Sequence, residues 1–303
     1  MACEVFIPFK PRAATLTVIE QANTIIDEYL AQDFKLTLRQ LFYQFVSRRL
    51  LQNIFTNYKR LGVIVRNARD GGLIDWDAIE DRTREVHDHV FWNNPAGIIS
   101  AAAEQYREDL WAGQRYRPEV WIEKDALLGV IEGVCTELRV PYFAHRGNNS
   151  QTLQYQAGKR FAEYLDQGLI PLVLNLLDHD PNGIDMSRDN EARLKLYART
   201  EIEVRRIALN MDQVREHNPP ENFVKESDTR TSGYRQRFGT DKCWELDALP
   251  PNVIADLIRR EIEALINPKH WRKGIAHENR GRELIANAAC NWTKVEKMLE
   301  RHG

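Results

Sequence analysis

An apolar run that breaks onto a knot of acids constrains this chain most: Pro171-Leu172-Val173-Leu174-Asn175-Leu176-Leu177 leads straight into Asp178-His179-Asp180-Pro181-Asn182-Gly183. A short, nearly continuous apolar stretch bounded by turn residues predicts a strand buried on both faces, as in a parallel sheet covered by helices. Residues just past the C-terminal edge of such a strand are where α/β sheets present their chemistry. Asp178 and Asp180 are therefore expected to project together. A second acidic signal, Val120-Trp121-Ile122-Glu123-Lys124-Asp125, lies upstream at the end of another strand-like run. Carboxylates this close repel one another unless a cation lies between them, and hard oxygen donors suit Mg²⁺ or Mn²⁺. The same Asp-x-Asp-Pro-x-Gly string also suits a plain turn, for backbone reasons alone.

At 303 residues the chain is long enough for two domains with cores of their own, and 43% hydrophobic with 28% charged residues argues against disorder. No apolar stretch approaches the roughly 20 residues that span a bilayer, and the start Met1-Ala2-Cys3-Glu4-Val5-Phe6 has no basic region ahead of a long apolar segment. The expectation is a cytoplasmic, DNA-associated protein with no membrane partner. Cys3, Cys135, Cys243 and Cys290 form no Cys-x-x-Cys pair, so neither a zinc ribbon nor a disulfide framework is suggested. The net charge of −2 hides an asymmetry: between Lys35 and Arg69 stand eight basic residues and no Asp or Glu. Arg48, Arg49, Lys59, Arg60, Arg66 and Arg69 are the candidate contacts to a phosphate backbone, against the simpler alternative of a solvated basic face.

Helical spacing of Leu16, Val18, Ile19, Ala22, Ile25, Ile26 and Leu30 predicts a first helix. Thr37 with Gln40 forms a capping-box signature for a second, and Thr56 or Asn57 is the candidate cap of a third. Asp70-Gly71-Gly72 breaks that helix, and Leu73–Ile79 alternates like a short strand. Three helices, a glycine turn and an extended ribbon describe a winged helix-turn-helix with Asn57–Asp70 in the recognition position. From Glu119 onward strands and helices alternate as in a parallel sheet covered on both faces. The fold class is thus α/β: an N-terminal winged-helix (CAP-like) domain over residues 1–95, a linker helix over 96–117, a Rossmann-like, mainly parallel domain over 118–265, and a helical C-terminal segment over 266–303.

On a wheel of about 100° per residue, Tyr43 falls roughly 130° from the apolar stripe of the second helix, beside Arg39 and Ser47. It is expected to point outward, as a candidate nucleophile toward a phosphodiester or as an ordinary surface tyrosine. A phenol with an unperturbed pKa of about 10 needs nearby cations to lose its proton, and Arg39 lies one helical turn away. His87-Asp88-His89 reads as a surface loop, because no third ligand accompanies its spacing.

Taken together, these motifs resemble the A subunit of type IIB topoisomerases (topoisomerase VI) and its relative, the meiotic double-strand-break protein. Thr37-Leu38-Arg39-Gln40-Leu41-Phe42-Tyr43 is similar to that family's Arg-x-x-aromatic-Tyr motif. Val120–Ala126 and Asp178–Gly183 are similar to the two halves of its Toprim metal site, and Trp244–Leu249 to a later segment. The resemblance implies Tyr43 as cleaving nucleophile with Arg39 beside it, Glu123, Asp178 and Asp180 as Mg²⁺ ligands, and Lys124 and Gly183 at motif positions. It also implies double-stranded DNA as substrate, a 5′-phosphotyrosyl intermediate, a homodimer, and a separate GHKL-type ATPase B subunit for strand passage. His145-Arg146-Gly147-Asn148-Asn149-Ser150 departs from the family's glycine-rich segment in lacking its proline. The rival expectation is a metal-dependent Toprim nuclease, resembling the nuclease subunit of the Wadjet plasmid-defence system, in which a metal-bound water replaces the tyrosine. A DNA-binding module without catalysis is the third, and it leaves the clustered acids unexplained.

Overall fold

The computed structural model describes residues 3–32, 34–79, 91–145 and 150–301. Helices α1 (Ala13–Leu30), α2 (Leu38–Ser47) and α3 (Phe55–Asp70) open the chain. Their apolar faces meet in one core built from Ile19, Ile25, Ile26, Leu41, Phe45, Leu61 and Val65. Thr37 caps α2 with both arms of the capping box: its hydroxyl accepts from Gln40 N, and the Gln40 side chain accepts from Thr37 N. Helix α3 starts earlier than its polar residues suggest. Its N-cap is Ile54, not Thr56 or Asn57, and no side chain caps it.

The segment Leu73–Ile79 is not the expected strand. It bends into a single 3₁₀ turn at Trp76–Ala78, and its one ladder pairing among the described residues is an isolated bridge from Ile79 to Leu36. Asp75 explains this: its carboxylate accepts from Asp77 N and closes the turn locally, the usual competition of a short acidic side chain with sheet pairing. His87-Asp88-His89 lies outside the described residues.

Helix α4 (Pro95–Gln105) is capped by Asn94, whose side chain accepts from Gly97 N. It packs along the later helix of residues 268–290. Beyond it come β1 (Tyr116–Ile122), α5 (Leu128–Glu137), β2 (Tyr142–Ala144), α6 (Gln151–Asp166), β3 (Ile170–Leu176), α7 (Pro181–Ala198) and β4 (Glu203–Ala208). The four strands form one parallel sheet in the order β2-β1-β3-β4, with β1 and β3 at its centre. The two-residue alternation of a strand sends Val120, Ile122, Leu172, Leu174 and Leu176 to one face, under α5 and the later helix of residues 251–263. Trp121 and Val173 go to the other, under Phe161 of α6 and Leu194 of α7. A four-stranded parallel sheet covered on both faces makes the protein α/β and is compatible with the expected Rossmann-like domain.

The remainder comprises α8 (Met211–His217), a two-stranded antiparallel ribbon of β5 (Asn222–Phe223) and β6 (Lys242–Cys243), α9 (Thr231–Phe238), α10 (Pro251–Glu263), α11 (Pro268–Cys290) and α12 (Trp292–Glu300). Helix α11 is capped by Asn267, whose side chain accepts from Lys269 N and His270 N. Its Glu278 is buried, accepting from Glu108 N, Arg139 and Arg282, which fixes α11 to the chain beyond α4.

Candidate functional site

Glu123 and Lys124 follow β1, and Asp178 follows β3, so the two acidic signals meet at the C-terminal edge of adjacent central strands. Glu123 N donates to Leu176 O at 3.0 Å, and Glu123 Oε2 accepts from Asp178 N at 2.8 Å. Asp178 is buried; one carboxylate oxygen accepts from Leu246 N at 2.8 Å and the other pairs with Lys124 Nζ at 3.0 Å. Asp180 is the N-cap of α7, its Oδ1 accepting from Gly183 N at 2.6 Å. Helix α7 therefore starts at Pro181, directly after the acids. The Asp-x-Asp-Pro-x-Gly string serves locally as a cap while holding Asp180 near Asp178. A Cβ on Gly183 would stand 2.2 Å from Asp178 O, so only glycine allows this close approach.

The residues that sequence reasoning missed arrive from farther along. His179 and Trp244 exchange two backbone hydrogen bonds, of 2.8 and 3.0 Å, which clamps Trp244–Asp247 against the acidic edge. Glu245 and Asp247 thereby reach Lys124, whose ammonium lies 2.8 Å from Glu245 Oε2 and 3.0 Å from Asp247 Oδ1. Arg206 of β4 donates to Leu177 O and Asp178 O from below. The sequence signal for Glu245 and Asp247 was the resemblance of Trp244–Leu249 to a later family segment, which gave neither acid a role.

The same two acids receive α2. Arg39 pairs with Glu245 and lies 3.0 Å from Asp247 Oδ2, and its Nη2 donates to the Tyr43 hydroxyl at 3.1 Å. Tyr43 does not point outward: it is 4% exposed. The wheel placed it correctly off the first apolar stripe, but Leu246–Ala248 packs on that second face of α2. A distant segment covers what a lone helix would leave in water.

The charges explain one another. Burial opposes the ammonium of Lys124, yet Asp178, Asp247 and Glu245 outweigh it and hold its pKa well above the ordinary lysine value. Burial also works against Glu245, but Lys124 and Arg39 bring it down to about 2. Burial raises Asp178 and Asp247 despite Lys124. Glu123 is pushed up to about 7, first by burial and then by the charge of Asp178. Burial, with Asp247 and Glu245, lifts the Tyr43 phenol well above its usual value, against the pull of Arg39 and Lys124. Within the cluster five carboxylates meet the cations of Lys124, Arg39 and Arg206, an acidic excess suited to a divalent ion. Among the described residues, however, no three His, Cys, Asp or Glu side chains converge closely enough to hold a metal. One Asp178 oxygen is occupied by Lys124 and one Asp180 oxygen by the α7 cap.

The basic segment divides. Arg48 is exposed but paired with Glu28 at 2.5 Å, and the half-buried Arg69 lies over the Trp76 ring and donates to its carbonyl, so both are already engaged within the chain. Arg49, Lys59, Arg60 and Arg66 are exposed, Arg49 in the left-handed region just past α2. Of the segment His145–Ser150, His145 is buried and residues 146–149 lie outside the described residues. No helix among the described residues is long and apolar enough to cross a membrane. No family model, curated protein or solved structure matches this chain.

Proposed function

We propose that this chain is a Mg²⁺-dependent DNA-cleaving enzyme of the topoisomerase VI A-subunit type, with Tyr43 as nucleophile. The observation that carries the proposal is the meeting of the Arg39–Tyr43 pair of α2 with the acidic edge bearing Glu123, Asp178 and Asp180. Glu123, Asp178 and Asp180 would hold the ion only after closing on it, with Lys124 releasing Asp178 and the α7 cap releasing Asp180; when bound the ion supplies positive charge against the non-bridging phosphate oxygens. The residues of the chain do the rest. Tyr43 gives up its proton, its oxygen bonds to phosphorus, and the bond to the 3′ oxygen breaks, leaving a 5′-phosphotyrosyl link and a 3′-hydroxyl that takes a proton. Arg39, bonded to the hydroxyl, stabilises the phenolate and the developing phosphorane charge. For this a DNA phosphate must take the place of Glu245 and Asp247 on Arg39. Helices α1–α3 serve as the winged-helix-type DNA module, Arg49, Lys59, Arg60 and Arg66 facing the backbone. A homodimer and a GHKL-type ATPase partner belong to the same proposal, as does residence at the nucleoid.

A specific observation favours the second reading, a Toprim-type nuclease that uses a metal-bound water. Tyr43 is buried, and the acids around it resist its ionisation. One experiment separates the two. Supercoiled plasmid incubated with protein and Mg²⁺, then stopped with detergent, is expected to carry protein on its 5′ ends, and Tyr43→Phe to abolish that attachment while DNA binding remains. Free 5′-phosphates that persist in Tyr43→Phe and vanish in Glu123→Ala identify the hydrolytic enzyme. Intact DNA under every condition overturns both.

A further inference from the structure

Beside the acidic edge lies a cleft of about 630 Å³, roofed by the β5–β6 ribbon and lined by Lys124, Asp180, Phe223, Lys225, Arg230 and Glu245 among others. The ribbon is held from both sides. Asn53, just past α2, donates to Asn222 Oδ1 at 3.0 Å and to Glu221 O at 3.2 Å, while Asn222 Nδ2 donates to Glu245 Oε1 at 3.2 Å. Phe223 rides on this fixed ribbon and is nonetheless 72% exposed, lining a cleft of mixed polar and apolar character. Arg230 is fixed across the cleft by Asp228 and donates to Asn182. Lys225 is exposed, and its charge acts on Asp228 three residues on. An anchored, solvent-facing aromatic with an exposed lysine two residues away is what stacking on a nucleobase and neutralising its phosphate require.

We propose that this cleft seats an unpaired nucleotide of a DNA strand, Phe223 stacking on the base and Lys225 facing a flanking phosphate. Acids on the far wall, Asp178, Asp180 and Glu245, repel a bare phosphate and so direct the backbone to the Lys225 side. The inference rests on DNA as the substrate of the neighbouring acidic edge, but it concerns how a strand is held, and its test reads binding without cleavage.

A short single-stranded oligonucleotide carrying 2-aminopurine is titrated with the protein in EDTA, following fluorescence and anisotropy. Binding is expected to quench the fluorescence through stacking. Phe223→Ala is expected to lose the quench and weaken binding by about tenfold, Phe223→Trp to keep both, and Lys225→Glu to weaken binding with the quench retained at saturation. Because Phe223 and Lys225 are exposed, none of these variants disturbs a core. Equal quench and affinity in Phe223→Ala overturn the proposal, as does failure of the unaltered protein to bind the oligonucleotide. A quench that depends on Phe223 in a protein that never cleaves DNA keeps the cleft and removes the cleavage reading. Cleavage without the quench does the reverse.

Discussion

Arg39 and Glu245 stand 206 residues apart in the chain and form an ion pair that carries α2 to the acidic end of the parallel sheet. Around that pair Asp247, Lys124 and Asp178 continue a line of ion pairs, and the Asp178 backbone N–H donates to Glu123 at its end. The phenol of Tyr43 hangs on the same arginine. A front-module helix and a sheet edge thus share one electrostatic unit, and four consequences can be measured.

Lys124 is the centre of that unit, within 3.0 Å of Asp178, Glu245 and Asp247. Lys124→Met leaves buried carboxylates without their cation, which costs about 3–5 kcal/mol. The melting temperature is expected to fall by roughly 10 °C, and Mg²⁺ to restore part of the difference. A change within about 2 °C in a thermal melt rules out the lysine as the keystone of the network.

Glu123 sets a pH dependence in metal-free protein. Its folded pKa, about 7, lies above the ordinary 4.5, so the folded state binds the proton more tightly. The stabilisation is therefore full below about pH 4.5 and is lost as pH rises through 7. Melting temperatures measured in EDTA should fall by a few degrees from about pH 5 to about pH 8. Glu123→Gln should flatten that slope, and saturating Mg²⁺ should oppose it. An identical slope in Glu123→Gln assigns the titration elsewhere.

Gly183→Ala tests the packing beneath the acids. The new methyl group meets Asp178 O at 2.2 Å, a backbone atom that a rotamer change cannot move aside. Destabilisation by about 2 kcal/mol or more is expected, of the size seen for overpacked cores. Mg²⁺-dependent changes in melting temperature should also disappear, because Asp178 and Asp180 shift together. Wild-type stability in this variant means that the loop and α7 separate easily.

On the basic face, Lys59, Arg60 and Arg66 are exposed, whereas Arg48 and Arg69 are already engaged. Replacing the three exposed residues with alanine is expected to weaken duplex binding and to make log K fall less steeply with log salt, by about one unit of slope for each phosphate left unneutralised. Arg69→Ala is expected to act chiefly on stability, through Trp76. An unchanged salt slope in the triple variant moves DNA to another face.

By itself the sequence determined what short-range chemistry governs. The buried strand Ile170–Leu176 follows from an unbroken apolar run, the start of α2 from Thr37 and Gln40, and the parallel sheet from the alternation of strands with helices. Glu123 and Asp178 were also legible as neighbours, because strand ends in such a sheet share one edge. Local chemistry also misled: Leu73–Ile79 alternates like a strand, but Asp75 closes a turn there, and Asp180 caps a helix that begins well before its apolar periodicity shows. Only the tertiary structure decided that Tyr43 is covered, that Glu245 and Asp247 join the acids, and that Lys124 is their shared partner. Those contacts join segments more than a hundred residues apart, and no helical or strand period carries information about what a remote loop will place on an exposed-looking face.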